Sequence, residues 1–117
     1  MISQVASRCL QARDIAHRSH WAASSYAVHG ALNEFYDNLL DAIDELIECY
    51  QGQYGQIECF EVETRKVDDI SAYLREEADW IEENRNNISQ GSQAIAALVD
   101  VLVSVYLKAV YKLEHLV

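Results

Sequence analysis

Proline is absent from the sequence, and glycine occurs only four times in 117 residues. These two residues interrupt helices most strongly, so their scarcity argues against a turn-rich β fold and favours long helices. A chain of this length is long enough for one hydrophobic core and too short for two. We therefore expect one all-α domain spanning residues 1–117.

Positive charge is also scarce. Nine lysine and arginine residues stand against nineteen aspartate and glutamate residues, which gives a formal net charge of −10. A protein that neutralises phosphates needs clustered cations, so we expect no nucleic-acid partner. An acidic surplus usually serves solubility, and a metal site requires a geometric argument as well.

Cysteine is rare too: Cys9, Cys49 and Cys59 form no CxxC pair and leave one thiol over from any disulfide. This favours a reducing cytoplasm over secretion, with the three side chains as buried apolar fillers. No basic stretch precedes an apolar segment at the N-terminus, and the most apolar run, 94–103, is interrupted by Asp100. The sequence therefore predicts a cytoplasmic protein with no signal peptide and no membrane span.

Apolar residues recur at three- and four-residue steps along most of the chain, which is the spacing of amphipathic helices. The clearest stripe follows the Ser24-Ser25 pair, which is suited to an N-cap, and ends near Gly52. The fourth stripe is apolar on more than one face, which is typical of a central helix or an oligomer contact. Four helices are predicted, with approximate bounds 2 to 17 or 20, 25 to 50, 67 to 84 and 92 to 115, and a polar break at 86–92.

The connection between the second and third helices, residues 51–66, is longer than antiparallel neighbours in a bundle need. Sixteen extended residues reach about 50 Å, enough to run back along a helix of about 39 Å. Apolar and polar residues alternate over 57–62, which favours a packed, extended segment. We therefore predict a ferritin-like four-helix bundle with a long crossover between helices two and three. A loose surface loop in an up-and-down bundle is the alternative.

Acidic side chains line one side of the second helix and include Asp44 and Glu48, which project side by side at i, i+4. Such a row of acidic side chains is ordinarily just a solvent-exposed face of the helix, but His29 lies at the edge of the same face. His29 and Asp44 are fifteen residues apart, or about 22 Å along a helix, so the two side chains of one chain cannot bind the same metal ion. Antiparallel packing of two copies of helix two about a two-fold axis would bring them together twice per dimer.

The series His17, His29, Asp44 and Glu48, with steps of twelve, fifteen and four residues, resembles the inter-subunit ferroxidase signature of Dps proteins, the ferritin-like mini-cages. The resemblance covers about residues 17–52. It implies that two histidines of one subunit and the two acids of its mate hold iron. Imidazole and carboxylate ligands suit iron, with zinc and manganese as competitors.

Three features differ from the Dps pattern. The histidine followed by tryptophan is His20, before Trp21, whereas His17 has the Dps spacing, so both are candidate ligands. The chain is shorter than Dps proteins and lacks a lysine-rich tail, so their DNA binding is not expected here. Short Dps-like proteins of bacteriophages are similar in their Ser-Tyr-Ala-x-His and Tyr-Gln-Gly segments.

Two functions follow from these patterns. The first is a Dps-like, metal-binding homodimer or higher homo-oligomer, joined through helix two, that oxidises or sequesters ferrous iron. The second is a non-enzymatic phage module of the same fold that binds a host protein through an acidic surface bearing tyrosines. The sequence contains no Glu-x-x-His pair of the ordinary ferritin di-iron centre and no phosphate-loop or hydrolase motif.

Overall fold

The computed structural model describes residues 1–117 and contains helices but no β-strand. This confirms the prediction of an all-α protein. The chain forms five helices: α1 (Ile2–Ala22), α2 (Tyr26–Tyr54), α3 (Ile70–Glu83), α4 (Arg85–Ser89) and α5 (Gln93–His115).

Three of the helices begin at a side chain that accepts a hydrogen bond from a backbone amide. Ser25 caps α2 by accepting from the Val28 N–H, and Ser92 caps α5 in the same way. Asp69 caps α3, so this helix begins three residues later than the start predicted at Val67. Such caps satisfy amides that the first turn of a helix leaves unpaired, and each contributes about 1 kcal/mol.

Two helix boundaries differ from the predicted ones, one near the histidines and one before the last helix. Helix α1 continues to Ala22, which places His20 inside the helix rather than at its end. The break predicted at 86–92 is wrong over its first half, because Arg85–Ser89 form the short helix α4. The chain turns only at Gln90 and Gly91, which both have positive φ angles.

The four long helices form a helical bundle in which α1 packs on α2, α2 on α5 and α5 on α3, while α1 and α3 make only a thin contact. Helices α2 and α5 are antiparallel. Lys112, near the end of α5, pairs with Glu34, near the start of α2. At the other end, the Tyr54 hydroxyl donates to the backbone carbonyl of Ser89, just before α5.

The crossover, residues 55–69, lies along α1 and is fastened by polar side chains of that helix. The Ser7 hydroxyl donates to the Glu61 carbonyl, and the Gln11 amide donates to the Glu63 carbonyl. Farther along, the Arg18 guanidinium donates to the carbonyl of Arg65. These bonds advance four residues along the crossover and eleven along α1, or about 16 Å. Four extended residues reach about 14 Å, so the crossover is extended here and the long Arg18 side chain covers the remaining distance. The crossover runs in the same direction as α1.

An ion pair between a half-buried arginine and a buried glutamate joins α1 to α3. The Arg8 Nε donates to Glu77 Oε2 at 2.8 Å, and the Arg8 Nη2 donates to Glu77 Oε1 at 3.1 Å. The Arg8 guanidinium also lies 4.0 Å from the centre of the Trp80 ring. Glu77 is only 5% exposed, and both of its carboxylate oxygens accept hydrogen bonds from this bidentate partner.

The hydrophobic core draws residues from all four long helices. At its centre the Phe35 ring meets the Tyr106 ring edge-on at 5.1 Å, and the Tyr106 hydroxyl donates to the sulfur of Cys9. Burial raises the pKa of the Cys9 thiol to about 12, so at neutral pH it is a protonated packing group. Cys9 is buried and Cys49 partly so, but the prediction is wrong for Cys59, which is exposed on the crossover.

Helix α5 is long and apolar enough to cross a membrane, judged by length and composition alone. Only 39% of its most apolar window is buried in the protein. A core helix of a bundle meets the same criteria, and α5 does supply core residues such as Leu102 and Tyr106. Its outer face nevertheless exposes Val101, Leu107 and Tyr111.

Candidate functional site

Three histidines gather at the corner where α1 ends and α2 begins. The turn at residues 23–25 folds α2 back on α1, so His20 and His29 face each other although nine residues separate them. Their rings are stacked, with centroids 3.6 Å apart and planes inclined by 20°. The sequence predicted candidate ligands at this end of both helices but gave no sign of this direct contact.

Backbone carbonyls fix the orientation of both rings. The His20 Nδ1–H donates to the carbonyl oxygen of His29 at 2.6 Å, and the His29 Nδ1–H donates to the carbonyl oxygen of His20 at 3.0 Å. A carbonyl can only accept, so the Nδ1 atoms carry the protons in these bonds. In the neutral ring this leaves the Nε2 lone pair free, the same arrangement that positions most metal-binding histidines.

His17 lies one turn before this pair and has different neighbours. Its ring stacks on Tyr36 with centroids 4.2 Å apart, and the Trp21 ring lies at 4.3 Å. The Tyr36 hydroxyl in turn donates to the Asn33 side-chain oxygen at 2.6 Å. Neither ring nitrogen of His17 has a hydrogen-bond partner within the chain, whereas His20 is buried and bonded through Nδ1.

Tyr36 is the residue that sequence reasoning missed. Its ring contacts both His17 and His20, with a centroid distance of 5.4 Å to His20 in an edge-on arrangement. Tyr36 follows His29 by seven residues, two helical turns, and this spacing places the two side chains on the same face of α2. This seven-residue spacing is the feature of the sequence that could have identified Tyr36 as part of the site. Tyr36 acts as the platform that joins the histidines of α1 to α2.

The two predicted carboxylate ligands lie elsewhere on α2. Asp44 and Glu48 are exposed and take part in no ion pair, and about 22 Å of helix separates Asp44 from His29. Within one chain, no three side chains of the His, Cys, Asp and Glu types come close enough to share a metal ion. The structure therefore brings together His17, His20 and His29, but not Asp44 or Glu48. A complete ligand set of this kind requires a second chain.

The sequence matches the model of a family described as a family of unknown function, DUF5856, over residues 20–113. The chain belongs to the DUF5856 family. The DUF5856 match includes His20, His29, Asp44 and Glu48 and begins after His17. Searches of curated proteins and of solved structures return no significant match.

The same corner of this DUF5856 protein also exposes two large aromatic side chains. Trp21, at the end of α1, is 69% exposed, and Tyr26, at the start of α2, is 89% exposed. Tryptophan and tyrosine are common anchors in protein interfaces. The histidine cluster thus lies beneath an aromatic surface that the single chain leaves uncovered.

Proposed function

We propose that the protein has a ferritin-like four-helix topology and binds a transition metal as a homo-oligomer, in the manner of Dps proteins. The order of the helices supports the topology. Helices α2 and α3 run in the same direction, they are not packed on each other, and the crossover joins them along α1. Ferritin-like bundles use one long crossover in this way.

The observation that carries the metal proposal is the orientation of His20 and His29. Reciprocal bonds from Nδ1 to backbone carbonyls hold both rings and leave the Nε2 atoms to bind. At 100° per residue, Asp44 lies about 60° and Glu48 about 100° around α2 from His29, so both acids lie on the side of α2 next to His29. The donor set is therefore oriented and incomplete.

A second copy would complete the donor set. When two α2 helices pack antiparallel about a two-fold axis near Asp37, His29 of one copy meets Asp44 and Glu48 of the other. Symmetry then makes two equivalent sites per dimer. Nitrogen and carboxylate donors suit iron, zinc and manganese, and the Dps resemblance favours ferrous iron as the cargo or substrate.

The test compares two variants that lose equal charge. Replacing Asp44 and Glu48 by alanine will weaken binding of Zn²⁺, Mn²⁺ or anaerobic Fe²⁺ by at least about tenfold, because two ligands are removed. The control replaces Asp79 and Glu83, an exposed Asp-x-x-x-Glu pair on α3 with no ion-pair partner, and will leave the affinity unchanged. Isothermal titration calorimetry measures both, and sedimentation velocity measures the mass of the particle.

Three results would contradict the proposal: equal affinity in the two variants, a wild-type protein that binds none of these metals, or a monomer at every concentration tested. A stoichiometry of one metal per chain in a symmetric oligomer would support it. The choice between His17 and His20 follows from the same titration on the two single alanine variants.

The exposed pair Trp21 and Tyr26 favours a second candidate function, a module that binds a host protein without metal. Aromatic anchors that are exposed in the free chain would become buried against the partner. This function predicts that a protein retained from host extract by the wild type is lost when both residues are replaced by alanine. It also predicts that the Asp44 and Glu48 double variant still retains that protein.

A further inference from the structure

The outer face of α5 is apolar where the bundle does not cover it. Val101 is 45% exposed and Tyr111 is 54% exposed, and Leu107 is exposed between them. These side chains account for part of the apolar window of α5, of which more than half is not buried. Large apolar patches on the surface of a protein usually mark a binding surface.

A groove of about 330 Å³ runs between α5 and α2 beside this face. Its floor includes the Phe35 ring and the small side chains of Ala42 and Ala109. Alanines at the contact of two helices leave room above them, so a side chain or helix from outside can enter. The groove adjoins the core without interrupting it.

The two walls of the groove carry opposite charge. Helix α2 contributes Glu34, Asp41 and Glu45, and helix α5 contributes Lys108 and Lys112. Lys112 is paired with Glu34 within the chain. Lys108, Asp41 and Glu45 form no ion pair within the chain. The single chain therefore leaves one cation and two anions unpaired on opposite sides of an apolar groove.

We propose that a second copy of this chain occupies the groove, with its α5 on the α2 wall and its α2 on the α5 wall. A two-fold axis parallel to the helices produces this arrangement, and each residue of the second copy then has the same position along the helix axis as in the first copy. Lys112 lies opposite Glu34. Both helices rise about 1.5 Å per residue and run in opposite directions, so Lys108, four residues before Lys112, is level with Asn38, four residues after Glu34, along the helix axis. Asp41 of the second copy is then about 4.5 Å farther along the axis, within reach of a lysine side chain.

This packing buries the exposed Val101 of both copies, which lines the groove, and pairs each free Lys108 with an acid of the other copy. Complementary charge fixes the orientation and register of such a contact. A lipid surface fits the face less well, because three carboxylates line the groove and the chain carries a formal net charge of −10. The contact involves neither the histidines nor Asp44 and Glu48, so it is independent of the proposed metal site.

Charge reversal at the groove tests the proposal. Sedimentation velocity will show at least a twofold loss of particle mass in Lys108→Glu, and Asp41→Lys will show the same loss. The double variant carrying both changes will regain the wild-type mass, since the pair is restored with its signs exchanged. Lys66→Glu is the matched control, because Lys66 is an exposed lysine on the crossover without an ion-pair partner, and its mass will not change.

Three outcomes would overturn the proposal: a monomeric wild type, an unchanged mass in both single variants, or flotation of the wild type with phosphatidylcholine vesicles that Val101→Asp abolishes. Zinc titration of Lys108→Glu separates this interface from the metal site. Unchanged zinc affinity with reduced mass supports the groove contact alone. Loss of zinc binding from the Asp44 and Glu48 variant with unchanged mass leaves the groove contact standing.

Discussion

Replacing Arg8 by alanine will lower the free energy of unfolding by about 2 kcal/mol, because a buried carboxylate loses a partner that is itself half-buried. Glu77 is almost completely buried, and both of its carboxylate oxygens accept hydrogen bonds from the Arg8 guanidinium. The variant leaves that buried carboxylate without its hydrogen-bond donors. It also removes the cation that lies over the Trp80 ring. Urea denaturation followed by circular dichroism measures the loss.

Arg75→Ala is the matched control for Arg8→Ala, because Arg75 also forms an ion pair with a glutamate, Glu114, but at the surface. It will cost less than about 1 kcal/mol. Adding Glu77→Gln to Arg8→Ala will recover part of the loss, since the buried group is then neutral. Equal effects of Arg8→Ala and Arg75→Ala would show that the buried pair has no special role in stability.

Replacing Phe35 by alanine will destabilise the protein by about 3–5 kcal/mol. Phe35 is 2% exposed and lies between α2 and α5, with its ring edge-on to Tyr106. Its removal loses apolar burial and leaves a cavity that two packed helices cannot close. The midpoint of urea denaturation will fall, while the slope of the transition will stay the same if the denatured state is unchanged.

Tyr26→Ala is the control for Phe35→Ala, because it removes an aromatic side chain of similar size from the same helix at an exposed position. It will change the free energy of unfolding by no more than about 0.5 kcal/mol. A small effect of Phe35→Ala would mean that Phe35 does not hold α2 against α5, and the packing of these helices would need another explanation.

Much of the bundle could be predicted because its signals are local. The stripe of α2 and the serine that caps it lie within one segment, as does the alternation that indicates an extended crossover. The end of α1 was harder to predict, because no glycine or proline follows His20 to stop the helix. The short helix α4 was missed because its asparagines are typical of turns but do not prevent one helical turn.

The site depends on contacts that sequence spacing does not contain. The stacking of His20 on His29 needs both the end of α1 at Ala22 and the tight turn that follows it. The pair Arg8 and Glu77 joins residues 69 positions apart. Glu77 does leave a local trace, because it interrupts the apolar stripe of α3 between Leu74 and Ile81. An acid at such a position needs a partner, but its identity depends on the tertiary structure.

The crossover has a consequence for the dynamics of the chain. Side chains of α1 hold several of its carbonyls, but among its amides only that of Ile57 donates to a protein side chain, Gln51. Apart from those of Gly55 and Ile57, which both donate to Gln51, its amide hydrogens can therefore exchange with solvent while the core stays closed. Trypsin has two adjacent targets there, Arg65 and Lys66. A nick at that point would leave two helical hairpins held together by their common core rather than by the chain.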